Sequence, residues 1–170
     1  MARLVLSVEV EAPVEQVWAA AVDWPRQGDW MALTRAWATE QDGHGVGAGI
    51  TAFTGVGSIG FLDTMTITTW QPPHRCVVRH TGRVVRGSAA FEVEPLPGDR
   101  SRFVWSEWLV LPLGLVGELG FALLRPLIAW PIRCSLRRFA RLAAAPHTSQ
   151  SAADNARSPL SAADCETGGG

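Results

Sequence analysis

The stretch Val8–Trp30, VEVEAPVEQVWAAAVDWPRQGDW, sets a strand, a short helix and a tryptophan-bearing loop in succession with almost no linker, and that order decides the fold. Leu4, Leu6, Val8 and Val10 alternate with Val5, Ser7 and Glu9, the period-two pattern of a strand with one face on a core. Pro13 stops the strand and suits the first position of a helix, where its missing N–H would have had no partner. Glu15 in the first turn favours the positive end of the helix dipole. Val14, Val17, Trp18, Ala21 and Val22 recur at helical spacing, so the helix has a single apolar face, and Asp23-Trp24-Pro25 ends it.

Downstream, residues 33–111 show no helical period. They read as six strands at about 33–41, 48–54, 62–70, 74–81, 84–94 and 102–111, with turns at GHGVG, GVGSIG, QPPH, TG and PLPGD. From Leu113 a long apolar segment gains arginines as it proceeds to about Ala145, a length that favours a helix. Residues 146–170, PHTSQSAADNARSPLSAADCETGGG, are small and polar without periodicity, which predicts a disordered tail after a single domain at residues 1–145.

Composition narrows the chemistry. With 170 residues and 47% hydrophobic content, the chain is long enough for one domain with a substantial core. All 15 cationic side chains are arginine, and lysine and tyrosine are absent, so no Schiff-base lysine, phosphate-loop lysine or tyrosine–lysine dehydrogenase pair exists here. A net charge of −1 gives no overall basic field for nucleic acid. Cys76, Cys134 and Cys165 are odd in number and far apart, and MARLVLSVEVE meets acids at Glu9 and Glu11 before any long apolar run. Both features predict a reduced, cytoplasmic protein without a signal peptide.

A curved meander of seven strands buries its concave face only if the final helix lies across it, and a cavity between them is a natural consequence. With VEVEAPVEQVWAAAVDWPRQGDW at the start, SRFVWSEWLVLP in the last strand and RPLIAWPIRCSLRRFARLAA at the close, the chain resembles the START-like ligand-binding superfamily. That group is also labelled SRPBCC or polyketide cyclase/dehydrase. The resemblance spans about residues 1–144 and implies an α+β helix-grip fold, a seven-stranded antiparallel sheet wrapped around a long C-terminal helix. It leaves function open among lipid carriers, allergen-type binding proteins, aromatase/cyclases and coenzyme-Q-binding proteins.

Several local features bear on chemistry. Gly55-Val56-Gly57-Ser58-Ile59-Gly60 spells G-x-G-x-x-G, but a dinucleotide turn must open a helix, whereas Phe61 onward alternates as a strand; the segment reads as a hairpin turn near a cavity mouth. His74, Cys76 and His80 have even spacing, yet His74 and His80 stand about 20 Å apart on an extended strand, too far for one metal; no metal or cofactor is expected. His80 is a candidate polar group of the cavity, with an ordinary hydrogen-bonded histidine as its bland reading.

In the last strand Phe103, Trp105, Glu107, Leu109 and Leu111 share one face. If that face is concave, Glu107 is a carboxylate in an apolar pocket, able to orient a ligand hydroxyl or transfer a proton; otherwise it pairs with an arginine such as Arg79 or Arg86. Of eight tryptophans most are expected in the core, Trp18 and Trp130 among them, while Trp30, after the Gln27-Gly28-Asp29 loop, is a candidate cover for the pocket entrance. Residues 109–132 could be taken for a membrane span, but Glu118, Arg125 and three prolines favour a buried helix with prolines that invite a kink. Arg133, Arg137 and Arg141 then form an exposed stripe that complements the helix dipole or meets anionic lipid.

The expected ligand-binding residues are thus Trp30, Phe53, Met65, His80, Trp105, Glu107 and Leu109, with Glu107 and His80 as candidate acid–base groups. The first reading is binding or transport of a lipid, polyketide or isoprenoid. The second is a cyclase/dehydratase-type enzyme, and the third a ligand-gated protein that touches a partner or membrane surface through the arginine stripe.

Overall fold

In the computed structural model, residues 2–110 and 114–145 are described; within the final helix, side chains are described at 120, 123, 126 and 129–145. The expected tail at 146–170 and the side chains of Glu118 and Arg125 lie outside the described residues. The chain runs β1 (Ala2–Val10), α1 (Val14–Ala21), a 3-10 helix (Trp24–Asp29), β2 (Thr34–Ala38), β3 (Gly49–Val56), β4 (Ile59–Gln71), β5 (Arg75–His80), β6 (Gly87–Leu96), β7 (Arg100–Leu109) and α2 (Gly114–Ala144).

The seven strands form one antiparallel sheet in the order β1-β7-β6-β5-β4-β3-β2. Strands β2 to β7 follow one another as a meander. Strand β1 pairs along its whole length with β7, because α1 and the 3-10 helix carry the chain from β1 to the far edge of the sheet. The register sets Leu4 opposite Glu107, Leu6 opposite Trp105 and Val8 opposite Phe103, so the even-numbered side of β1 and the Phe103 side of β7 share the concave face. Phe103 is fully buried there. This is the helix-grip α+β architecture.

Helix α2 lies over that face through Ala129, Leu136, Phe139 and Ala143, all buried, and packs chiefly against β1. Two polar contacts tie it down. Gln16 Nε2 on α1 donates to the carbonyl of Ala143 at 2.7 Å, occupying an acceptor that the last turn of a helix leaves free. The Ala32 backbone N–H donates to Ser135 Oγ at 3.2 Å, fixing the loop after the 3-10 helix to the middle of α2.

Where these layers meet, aromatic rings fill the space. Trp30 sits edge-on to Phe139 with centroids 4.9 Å apart, Phe103 meets Phe139 at 4.5 Å, and Phe91 packs against Phe103 at 5.4 Å. Such pairs add favourable quadrupole geometry to the burial of large apolar area.

The structure differs from sequence expectation at identifiable places. The first strand of the meander is shorter than 33–41 because Leu33 and Gln41 both take positive φ, 61° and 52°, which takes the backbone out of the strand region at each end. The segment from 84 becomes a strand only at Gly87, after a loop. The tryptophan loop is a 3-10 helix: the Asp23 side chain accepts from the Arg26 N–H, and Pro25 sits in its first turn. Trp130 is 68% exposed and Leu123 80% exposed, so α2 presents apolar groups outward as well as to the core. The G-x-G-x-x-G segment is a hairpin, with Val56 paired to Ile59 and Gly57 at the tip at φ 60°. A Cβ on Gly55 would stand 2.2 Å from the Ile59 carbonyl oxygen, so the hairpin closes there only with glycine.

Candidate ligand cavity

The rings fill only part of the space between sheet and helix. The remainder is a cavity of about 450 Å³, bounded by the concave faces of β3 to β7, by residues 31–34, and by Pro131, Ile132 and Ser135 of α2. Its emptiness follows from side-chain size. Strands β3 and β6 turn Ala52, Thr54 and Ala89 inward, too short to meet α2. Leu33 and Phe61 line it while exposed to solvent, which marks the mouth.

The wall is largely apolar, and its ionisable side chains other than Cys76 form one cluster. Asp63 on β4, His80 on β5 and Glu107 on β7 converge although β6 separates the latter two strands. Strand β6 permits this because the residue opposite His80 is Gly87 and the residue opposite Glu107 is Ala89, so no bulky side chain stands between them. His80 Nδ1 lies 2.8 Å from Asp63 Oδ2, and its Nε2 lies 3.4 Å from Glu107 Oε2, within ion-pair range but without hydrogen-bond alignment. Trp105 Nε1 donates to Glu107 Oε1 at 2.9 Å. The His80 side chain is 5% exposed. Burial pulls its pKa down, but hydrogen bonding and charge from Asp63, then Glu107, outweigh burial and raise it from 6.5 to about 9. At neutral pH the cluster therefore holds an imidazolium between two carboxyl side chains in an apolar hollow.

Other polar wall residues are quieter. Cys76 is buried, and desolvation pushes its thiol up to about 12, which keeps it protonated and unreactive. Gln27, buried in the 3-10 helix, reaches the wall beside Trp24. His74 stands in the turn before β5, its Nδ1 3.2 Å from the Val93 carbonyl oxygen, apart from Cys76 and His80. Among the described residues no group of three or more ligating side chains could hold a metal ion.

Five of the seven residues expected at the pocket, Met65, His80, Trp105, Glu107 and Leu109, stand at the cavity wall. Phe53 does not. On β3 the inward parity belongs to Ile50, Ala52 and Thr54, and Phe53 turns outward, where the Arg35 guanidinium lies 5.4 Å from its ring centroid. Trp30 does not cover the entrance either: it is 3% exposed in the aromatic core, because the 3-10 helix turns it in. Glu107 meets His80 and Trp105 and not Arg79 or Arg86. Asp63 escaped the sequence reading, although it sits two residues from Met65 and so shares its face.

Solved structures share this architecture. The Zhui aromatase/cyclase of a Streptomyces species superposes with a TM-score of 0.65 at 17% identity, over 84% of this chain and 93% of that one. A Thermus thermophilus protein gives a TM-score of 0.68 at 14% identity, over 84% and 97%. A Thermobifida fusca protein gives 0.61 at 22% identity, over 84% and 95%. These likenesses carry the fold alone. No curated protein matches the sequence. No helix among the described residues is long and apolar enough to cross a membrane. The sequence pattern of one family matches residues 1–144, most of the chain, and the chain therefore belongs to the family described as polyketide cyclase / dehydrase and lipid transport.

Proposed function

We propose that this protein binds an apolar small molecule of the polyketide, isoprenoid or lipid class inside the cavity. The observation that carries the reading is the cavity: about 450 Å³, within the roughly 300–1,000 Å³ of small-molecule sites, with a largely apolar wall and a buried Asp63–His80–Glu107 cluster. In this reading Met65, Trp105 and Leu109 supply apolar contact, and Asp63, His80 and Glu107 orient the ligand. Phe53 and Trp30 act through the fold and not by contact. Mass spectrometry of organic extracts from the purified protein tests this. The expected result is an apolar compound retained by the native protein and released on unfolding; an empty protein that also takes up none of a panel of isoprenoids and polycyclic aromatics overturns it.

A second reading, cyclisation or dehydration of a polyketone, is favoured by the position of His80. A protonated imidazole held by one carboxylate and beside another can donate a proton to a ketone oxygen while Glu107 accepts one from the adjacent carbon. The cavity would hold the chain folded during that step. Incubation with a poly-β-ketone thioester, followed by product analysis, separates the readings: ring formation lost in His80→Gln supports the enzyme, and unchanged substrate supports the carrier.

A further inference from the structure

We infer that the head group of the ligand is a hydrogen-bond donor, a hydroxyl, phenol or protonated amine, and that apolar molecules ending in a carboxylate or phosphate are rejected. This rests on the proposed ligand-binding reading and adds the chemistry of the bound end.

The charge inventory of the wall supports it. Asp63 and Glu107 bring two carboxyl side chains against one imidazole, so acidic groups outnumber the basic one at the wall. No arginine stands among the described wall residues, and the chain has no lysine, so among the described residues nothing beside the cluster neutralises an anionic head. An anion placed there meets like charge in a region of low dielectric, where repulsion is strong.

The hydrogen-bond inventory points the same way. Asp63 Oδ1 and Glu107 Oε2 are shielded from solvent and have no hydrogen-bond partner, and Glu107 Oε1 accepts a single bond, from Trp105. Carboxyl oxygens without donors in an apolar wall are costly, and the Asp63 and Glu107 side chains keep 11% and 15% of their surface exposed at the cavity, where the polar end of a ligand meets them. His80 Nε2 is likewise without an aligned acceptor, on a side chain 95% buried. A ligand O–H or N–H brought to the cluster would satisfy an oxygen, and a hydroxyl oxygen could in turn accept from Nε2. A ligand carboxylate offers no proton to the two carboxylate oxygens.

The test is a matched series with one tail: 4-octylphenol, 4-octylbenzylamine, 4-octylbenzoate and octylbenzene. Each displaces the neutral fluorophore N-phenyl-1-naphthylamine from the full-length protein at neutral pH. The phenol and the amine are expected to bind at least about tenfold more tightly than the benzoate, with octylbenzene between them. In Glu107→Gln and Asp63→Asn, which keep shape and remove charge, the gap between phenol and benzoate should narrow, circular dichroism confirming that each variant is folded. Benzoate binding equal to or tighter than phenol overturns the head-group inference and leaves the cavity reading standing. Failure of all four compounds, octylbenzene included, to displace a bound fluorophore, or of the fluorophore to bind, overturns both.

Discussion

Between the sheet and the helix, one half of the space is closed by aromatic rings and the other is hollow. In the closed half, Trp30, Phe91, Phe103 and Phe139 interlock at centroid distances of 4.5–6.5 Å. In the open half, inward positions carry Ala52, Thr54 and Ala89, and the strands bring Asp63, His80 and Glu107 together. The difference teaches where stability and binding reside. Aromatic packing holds α2 against the sheet, which lets the other half tolerate an unfilled volume and charged groups short of partners.

That division can be broken first in the closed half. Trp30→Ala should cost about 3–5 kcal/mol, the range for truncating a buried aromatic, and denaturant unfolding would measure it. A loss below about 1 kcal/mol would mean that the rings do not carry the docking of α2.

Next in size is the charge of His80. The imidazole holds its proton more tightly folded than unfolded, with a pKa of about 9 against 6.5. Its contribution is therefore complete below about pH 6.5 and is lost as pH rises through about 9, a decline of about 3 kcal/mol at roughly 1.4 kcal/mol per unit. The raised thiol of Cys76 acts only above about pH 9, outside that window. Chemical denaturation at stepped pH should show the decline in the natural protein and not in His80→Gln.

Smaller still is the expected response to filling the hollow. Ala52→Leu places a larger side chain where the wall is empty, so folding stability should change by less than about 1.5 kcal/mol while affinity for an apolar ligand drops about tenfold or more. The smallest effect belongs to Phe53→Ala. Its ring lies on the convex face under Arg35, so ligand affinity should stay within about twofold in a fluorescence titration.

The elements that set the fold were open to sequence reasoning because their signals are local. The alternation in β1, Pro13 before α1, and the glycine turns each act within a few residues. Strand parity was legible on β7, where Phe103, Trp105 and Leu109 share a side with Glu107, and misleading on β3, where the large Phe53 drew attention from small Ala52 and Thr54. A cavity is made by the residues that fail to fill it, so ranking by size picks the wrong face. The Asp63–His80 contact joins residues 17 positions apart and needs the β4–β5 register, which sequence does not give. In sequence Trp30 reads as a cover because a glycine stands shortly before it, while Asp23 and Pro25, which make the 3-10 helix that turns it inward, read only as the end of α1.

The most direct test of the central claim, a hollow that takes an apolar ligand, is titration calorimetry of the full-length protein and its Ala52→Leu variant with 4-octylphenol. One site per chain with micromolar affinity, about −8 kcal/mol, is expected in the natural protein, and binding at least about tenfold weaker in the folded variant. Absence of saturable binding to the natural protein, or equal affinity in the filled variant, would contradict it.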